Sequence, residues 1–200
     1  MLARGRNLDI ITQSQTIDGF LALKSDLWRT SCGLYLLDLI DSFTVENSEN
    51  RPLFDLLLAS LHRLCQAGSS EIVLRYFELH LLHYLGYRPE LRHCVSCNSP
   101  LKPVVNFFSP SQGGILCPYC SQKEPRSRPL AAETLKVLRL WQSCDYATAR
   151  RIRLKSGLSA ELEQVLQEYI RYLLQREVKS MAWLQELKAD SVVDNPGRGN

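Results

Sequence analysis

The sequence predicts a mainly α fold: a helical domain with a four-cysteine zinc-binding insertion, preceded by one N-terminal β-strand. Three observations carry this. Apolar residues recur at helical spacing from about residue 18 onward. Two Cys-x-x-Cys pairs, Cys94/Cys97 and Cys117/Cys120, are separated by 19 residues. The segment around them holds Pro89, Pro100, Pro103, Pro110, Gly113, Gly114 and Pro118, a density that no long helix survives.

Along the chain, Leu8, Ile10 and Thr12 alternate with Asn7, Asp9, Ile11 and Gln13, weakly strand-like. Ser25 is the expected N-cap of a helix running to about Phe43, with Leu27, Leu34, Leu37 and Ile40 among its apolar positions. Asn50 and Pro52 start a second helix, LFDLLLASLHRL. A third, EIVLRYFELHLLHYL, ends at Gly86; Glu71, Arg75 and Glu78 form its one polar stripe, so it should be largely buried. The cysteine segment follows, with short strands or packed turns around VVNFF, and KEPRSRP as a basic linker. LAAETLKVLRLWQ reads as a fourth helix with Leu135, Leu138 and Trp141 inward, and DYATARRIRLKSG as a short helix ending at Gly157. Ser159 should cap one long last helix over about 159–188, with Glu161 and Glu163 as exposed first-turn charges and Met181 and Leu184 continuing its core stripe.

Composition narrows the function. At 200 residues the chain can bury one core. No apolar run reaches the ~20 residues of a membrane helix, and no signal-peptide pattern opens the sequence, which predicts a cytoplasmic protein. Seven cysteines, four in close pairs, do not fit a disulfide framework; Cys32, Cys65 and Cys144 read as small buried hydrophobes. Net charge is only +3, but residues 121–160 hold nine basic against three acidic side chains. Such a cluster attracts phosphate backbones or acidic peptide tails, and is equally a solvated face.

A Cys-x-x-Cys turn lets two thiolates converge on one ion, and two turns complete a tetrahedral zinc shell. Cys94, Cys97, Cys117 and Cys120 are therefore the expected ligands. Four protein ligands close the shell, so the zinc should be structural rather than catalytic. His93 is a spare beside four good ligands; His80 and His83 lie three apart, with His80 expected as a hydrogen-bonded core histidine. The chain has no P-loop, no Gly-x-Gly-x-x-Gly, no His-Glu-x-x-His and no Gly-x-Ser-x-Gly, and is read as non-enzymatic. Arg126, Arg128, Arg150, Arg151, Arg153 and Lys155 are the candidate nucleic-acid or acidic-tail residues. Trp141 and Tyr146 could stack on bases, with core packing the expected role of Trp141.

The stretch LGYRPELRHCVSCNSPLKPVVNFFSPSQGGILCPYC resembles the signature of the bacterial RecO DNA repair family, through Gly86, Tyr87, Pro89, Phe108, Ser109, Gly113, Gly114 and the four cysteines. REVKSMAWLQEL, with Lys179 and Ser180, is similar to the family's closing segment, and the resemblance spans about residues 2–188. Asn98 stands where the family often has glycine and should keep that turn, because Asn tolerates positive φ.

The resemblance implies residues 1–16 as the last strand of an otherwise missing OB-fold, 17–189 as a RecO-like helical domain with its zinc-binding insertion at 87–128, and 190–200 as a disordered tail. It implies a bacterial, nucleoid-associated recombination mediator without covalent chemistry. Such a protein binds single-stranded DNA and the acidic tail of single-strand-binding protein, acts with RecR to load RecA, and anneals strands. The second expectation is a zinc-stabilised helical adaptor that binds protein only.

Overall fold

The computed structural model describes residues 2–3, 10–45, 49–66, 68–176 and 178–193. β1 (Leu2–Ala3) pairs antiparallel with β2 (Ile10–Ile11), a minimal hairpin where the sequence predicted a single strand. The expected tail is helical over residues 190–193, and 194–200 lie outside the described residues.

A short helix, α1 (Leu21–Lys24), leads into α2 (Leu27–Phe43). The N-cap of α2 is Asp26, not Ser25: its carboxylate accepts from Arg29 N at 2.8 Å. The buried face of α2 also differs from expectation. Cys32, Tyr35, Leu36 and Leu39 are fully buried, whereas Leu27, Leu34 and Leu37 are exposed. The helix is apolar nearly all round, so periodicity alone does not choose the inward side.

α3 (Arg51–Cys65) starts as expected, with Asn50 accepting from Leu53 N at 3.1 Å and Pro52 in the first turn. α4 (Ser70–Tyr84) is the central helix, and packs against α2 and α3. It ends in a Schellman motif: Tyr87 N donates to Leu82 O at 2.7 Å, Gly86 N donates to His83 O at 3.1 Å, and Gly86 takes φ 83°. Two of the three residues of its polar stripe, Arg75 and Glu78, do not face water, while Glu71 is half-buried. Arg75 Nη2 lies 2.9 Å from Glu78 Oε1, both side chains are buried, and Tyr35 Oη donates to Glu78 Oε1 at 2.7 Å.

Between α4 and α5 (Ala132–Trp141) lies a three-stranded antiparallel sheet, β3 (Asn106–Ser109), β4 (Gly114–Leu116) and β5 (Arg128–Leu130), with β3 central. β5 takes in only the end of the expected linker, Arg128 and Pro129; Pro129 is tolerated there because β5 is an edge strand. Strand alternation gives the sheet two apolar faces. Phe108, Ile115 and Leu130 join the helical core, where Phe108 meets Tyr169 edge to face at 5.4 Å. Phe107 and Leu116 face the cysteines.

After α6 (Tyr146–Ala149), the expected long helix is two: α7 (Ser156–Leu174) and α8 (Lys179–Val193). The break is at Gln175, which adopts the left-handed conformation at φ 52°. Gly157 and Ser159 lie inside α7 rather than at a boundary. Glu161 and Glu163 are not free surface charges. Glu161 accepts from Ala131 N at 3.0 Å and from Thr134 Oγ1, capping α5 from outside. Glu163 receives Lys188 Nζ at 2.7 Å, and Lys188 also reaches Glu71 at 3.1 Å. These ionic contacts join α4, α7 and α8. α8 lies along α2, where Ser180 N and Oγ donate to Asp38 Oδ2 at 3.1 and 2.6 Å, and Met181 and Leu184 are buried as expected.

Candidate metal centre and basic surface

The four sulfurs of Cys94, Cys97, Cys117 and Cys120 all lie within 4.8 Å of one another. Cys97 Sγ and Cys117 Sγ are 3.9 Å apart. A tetrahedron with ~2.3 Å metal–sulfur bonds has edges of about 3.8 Å, so the set fits one ion. Local backbone makes the turns. Asn98 N donates to Cys94 O at 2.8 Å and Cys94 N to Ser99 O at 2.9 Å, with Asn98 at φ 57°, as its substitution for glycine predicted.

Gly114 lets the second turn approach the first. A Cβ there would sit 2.6 Å from Glu90 O, on a backbone that pairs through Ile115 N donating to Glu90 O and Glu90 N donating to Gly113 O, each at 3.0 Å. The start of the loop is tied to α5: Arg139 Nε donates to Leu91 O at 2.6 Å and Gln142 Nε2 to Pro89 O at 2.9 Å. Val95, Leu101, Phe107 and Leu116 shield one side of the sulfurs, burying Cys94 and Cys120 and leaving Cys97 exposed.

Two of the four sulfurs, those of Cys94 and Cys97, are already tuned toward the anion. Burial opposes ionisation of Cys94, but N–H groups of Cys117, Cys97 and Ser96 directed at its sulfur outweigh this and lower its pKa. Hydrogen bonds from Ser99, side chain and backbone, bring Cys97 down to about 6. Ser96 favours the Cys120 thiolate in the same way, yet burial and the three neighbouring sulfurs push that thiol up to about 12. Four thiols this close cannot all lose their protons against one another; a bound cation removes the conflict. With four sulfurs converging, the arrangement can hold an ion and would leave no ligand position for water.

His93 is not part of the sulfur cluster, and its Nδ1 lies 3.8 Å from Glu90 Oε1. His80 is hydrogen-bonded as expected, with Nε2 3.0 Å from Trp141 O, but it is only partly buried at the edge of the core. Trp141 is fully buried. Cys32 is buried as predicted; Cys65 and Cys144 are only partly so.

The basic residues fall on two stretches. Arg126 is exposed just before β5, while Arg128 is engaged by α7, its Nε 3.0 Å from Glu168 Oε2 and its Nη1 on Gln164 Oε1. Arg150, Arg151, Arg153 and Lys155 are exposed on the connection from α6 to α7. Sequence reasoning missed Arg63, whose guanidinium lies 4.0 Å from the Tyr146 ring centroid. The two meet only through tertiary packing, so no local pattern marked them.

A family model described as "Recombination protein O C terminal" matches residues 24–182, which include the helical core and both cysteine pairs. The chain belongs to the RecO family. It is 38% identical over 186 residues to DNA repair protein RecO of Dehalococcoides mccartyi, a match covering 93% of this chain and 73% of that relative. RecO of Roseiflexus sp. is also 38% identical, over 94% of this chain and 66% of the relative. RecO of Desulforamulus reducens is 34% identical over 199 residues, 100% of this chain and 76% of the relative.

Proposed function

We propose that the chain is a mediator of DNA repair and homologous recombination that binds single-stranded DNA and the acidic C-terminal tail of single-strand-binding protein. In this reading it acts with RecR to load RecA, anneals complementary strands and performs no covalent chemistry. The observation that carries the reading is the RecO family match across residues 24–182. The closed sulfur set, which offers a substrate no open coordination position, and the exposed Arg150–Lys155 stretch support it. The helical domain over 17–189, with the insertion at 87–128, is the unit to which we assign this role.

The ion is zinc, held by Cys94, Cys97, Cys117 and Cys120: an all-sulfur tetrahedral donor set suits it, and its binding energy becomes folding energy. It fixes the outer face of the β3–β4–β5 sheet, and so the segment joining α4 to α5.

Fluorescence anisotropy with a labelled single-stranded oligonucleotide, at a series of salt concentrations, tests the DNA reading, and a labelled acidic tail peptide tests the second partner. Affinity for the oligonucleotide should fall linearly on logarithmic axes as salt rises, through release of counterions. Salt-insensitive strand binding contradicts the account. A flat response to DNA beside a stable protein partner assigns the chain instead to a protein-only adaptor.

A further inference from the structure

Between the end of α3, the start of α4 and the short helix α6 lies a recess of about 130 Å³, lined by Arg63, Ser69, Ser70, Ile72, Tyr146 and Arg150 among others. It receives two guanidinium groups, and no carboxylate lines it. Arg63 is held in a fixed pose. Its guanidinium carbon lies 4.0 Å from the Tyr146 ring centroid and 5.5 Å from that of Tyr76. The two rings meet edge to face at 5.3 Å, and Tyr76 Oη donates to Cys144 O at 3.1 Å.

The clamp half-buries Arg63 without giving it a counter-ion. Nη1 is buried and has no hydrogen-bond partner. Burial lowers the Arg63 pKa, with only the two tyrosines opposing. The acidic groups closest in sequence are committed elsewhere. Asp145 caps α6 by accepting from Thr148 N at 2.9 Å, and Glu71 accepts from Ser159 Oγ at 2.7 Å and from Lys188. Ser69, the N-cap of α4, makes no side-chain cap, so the first N–H groups of that helix have no capping side chain and are donors at the mouth of the recess. A buried cationic donor with no acceptor is costly; an oxyanion with several acceptor atoms relieves it.

We propose that this recess binds one backbone phosphate of a single DNA strand, with Arg63 as the pre-positioned ligand and Arg150 as the mobile one. The proposal rests on the DNA-binding reading above and deepens it. A phosphodiester is favoured over a peptide carboxylate because the cations continue along the chain. Arg151, Arg153 and Lys155 follow Arg150 on the surface, and no acidic residue occurs from Tyr146 to Ala160. A run of one sign suits an anion that repeats. Contacts of this kind position the strand and do not read its bases.

The test is NMR of the metal-loaded full chain, following the Arg63 side chain and the Ser69 and Ser70 amides during titration with inorganic phosphate, a single-stranded oligonucleotide or an acidic peptide. Oligonucleotide binding by Arg63→Gln and Arg150→Gln is measured alongside. Phosphate and oligonucleotide should both move these signals. Each variant should weaken the oligonucleotide uniformly across sequences and lower the logarithmic salt slope by about one. Arg150 is exposed, so its variant should keep the parent's melting temperature and separates binding from folding.

Unchanged affinity and slope in Arg150→Gln overturn the recess while leaving the DNA reading intact. A response to inorganic phosphate alone, or to the acidic peptide and not to the oligonucleotide, also overturns it. Failure of the parent chain to bind any strand removes the DNA reading and the proposal together.

Discussion

Glu78 carries the sharpest consequence at the scale of single residues. Burial pushes its carboxyl up to about 7 from the ordinary 4.5, with Arg75 and the Tyr35 hydroxyl pulling the other way and Glu163 adding to the rise. The folded chain therefore keeps a proton that the unfolded chain releases between those two values. The Glu78 contribution to stability is greatest below about 4.5, declines as pH rises, and levels off above about 7. Urea unfolding of the parent and of Glu78→Gln across this window should show that part of the decline missing from the variant. An identical slope in both would contradict the assignment. Removing the partner is harsher: Arg75→Met leaves Glu78 buried beside no cation and should cost about 3–5 kcal/mol. At this scale the sequence was legible where a residue acts on its own neighbours, as at the four cysteines, Asn98, Asn50 and Gly86. It was silent where the partner comes from a distant segment, as for Glu161 on the start of α5 or Arg63 on Tyr146.

At the scale of elements, α2 shows why existence and facing are separate questions. Its apolar content marks a helix, but leucines all round it leave the rotation to its neighbours; α3, α4 and α8 select Tyr35, Leu36 and Leu39 for the interior. Leu36→Ala should cost about 2–5 kcal/mol. Leu34→Lys, on the face the sequence favoured, should change stability by about 0.5 kcal/mol or less. Chemical denaturation distinguishes the two, and equal costs would mean that α2 is rotated.

The α7–α8 break was hidden because leucine periodicity runs through it without Gly or Pro. Only the positive φ of Gln175 marks it. Gln175→Gly should raise stability by about 0.5–1 kcal/mol by relieving the left-handed strain, read as a higher denaturation midpoint. β5 was hidden for the opposite reason, since Pro129 argues against a strand until the strand is known to lie at an edge.

For the whole molecule, the helical core and the cysteine segment are joined by a two-faced sheet. Phe108 and Ile115 bind that sheet to the helices, and Phe107 and Leu116 bind it to the sulfurs. No helix among the described residues is long and apolar enough to cross a membrane. Gly114→Ala, which forces a Cβ against Glu90 O, should loosen the link between the two cysteine turns at a cost of about 1–3 kcal/mol, seen as easier loss of metal to a chelator.

The central claim is that the four cysteines form a structural clasp rather than a reaction centre. Thermal unfolding followed by circular dichroism, with and without a zinc chelator, tests it most directly. The account requires a marked fall in the melting temperature on chelation, reversed by added zinc. A metal-free chain that melts at the same temperature as the loaded one would contradict it.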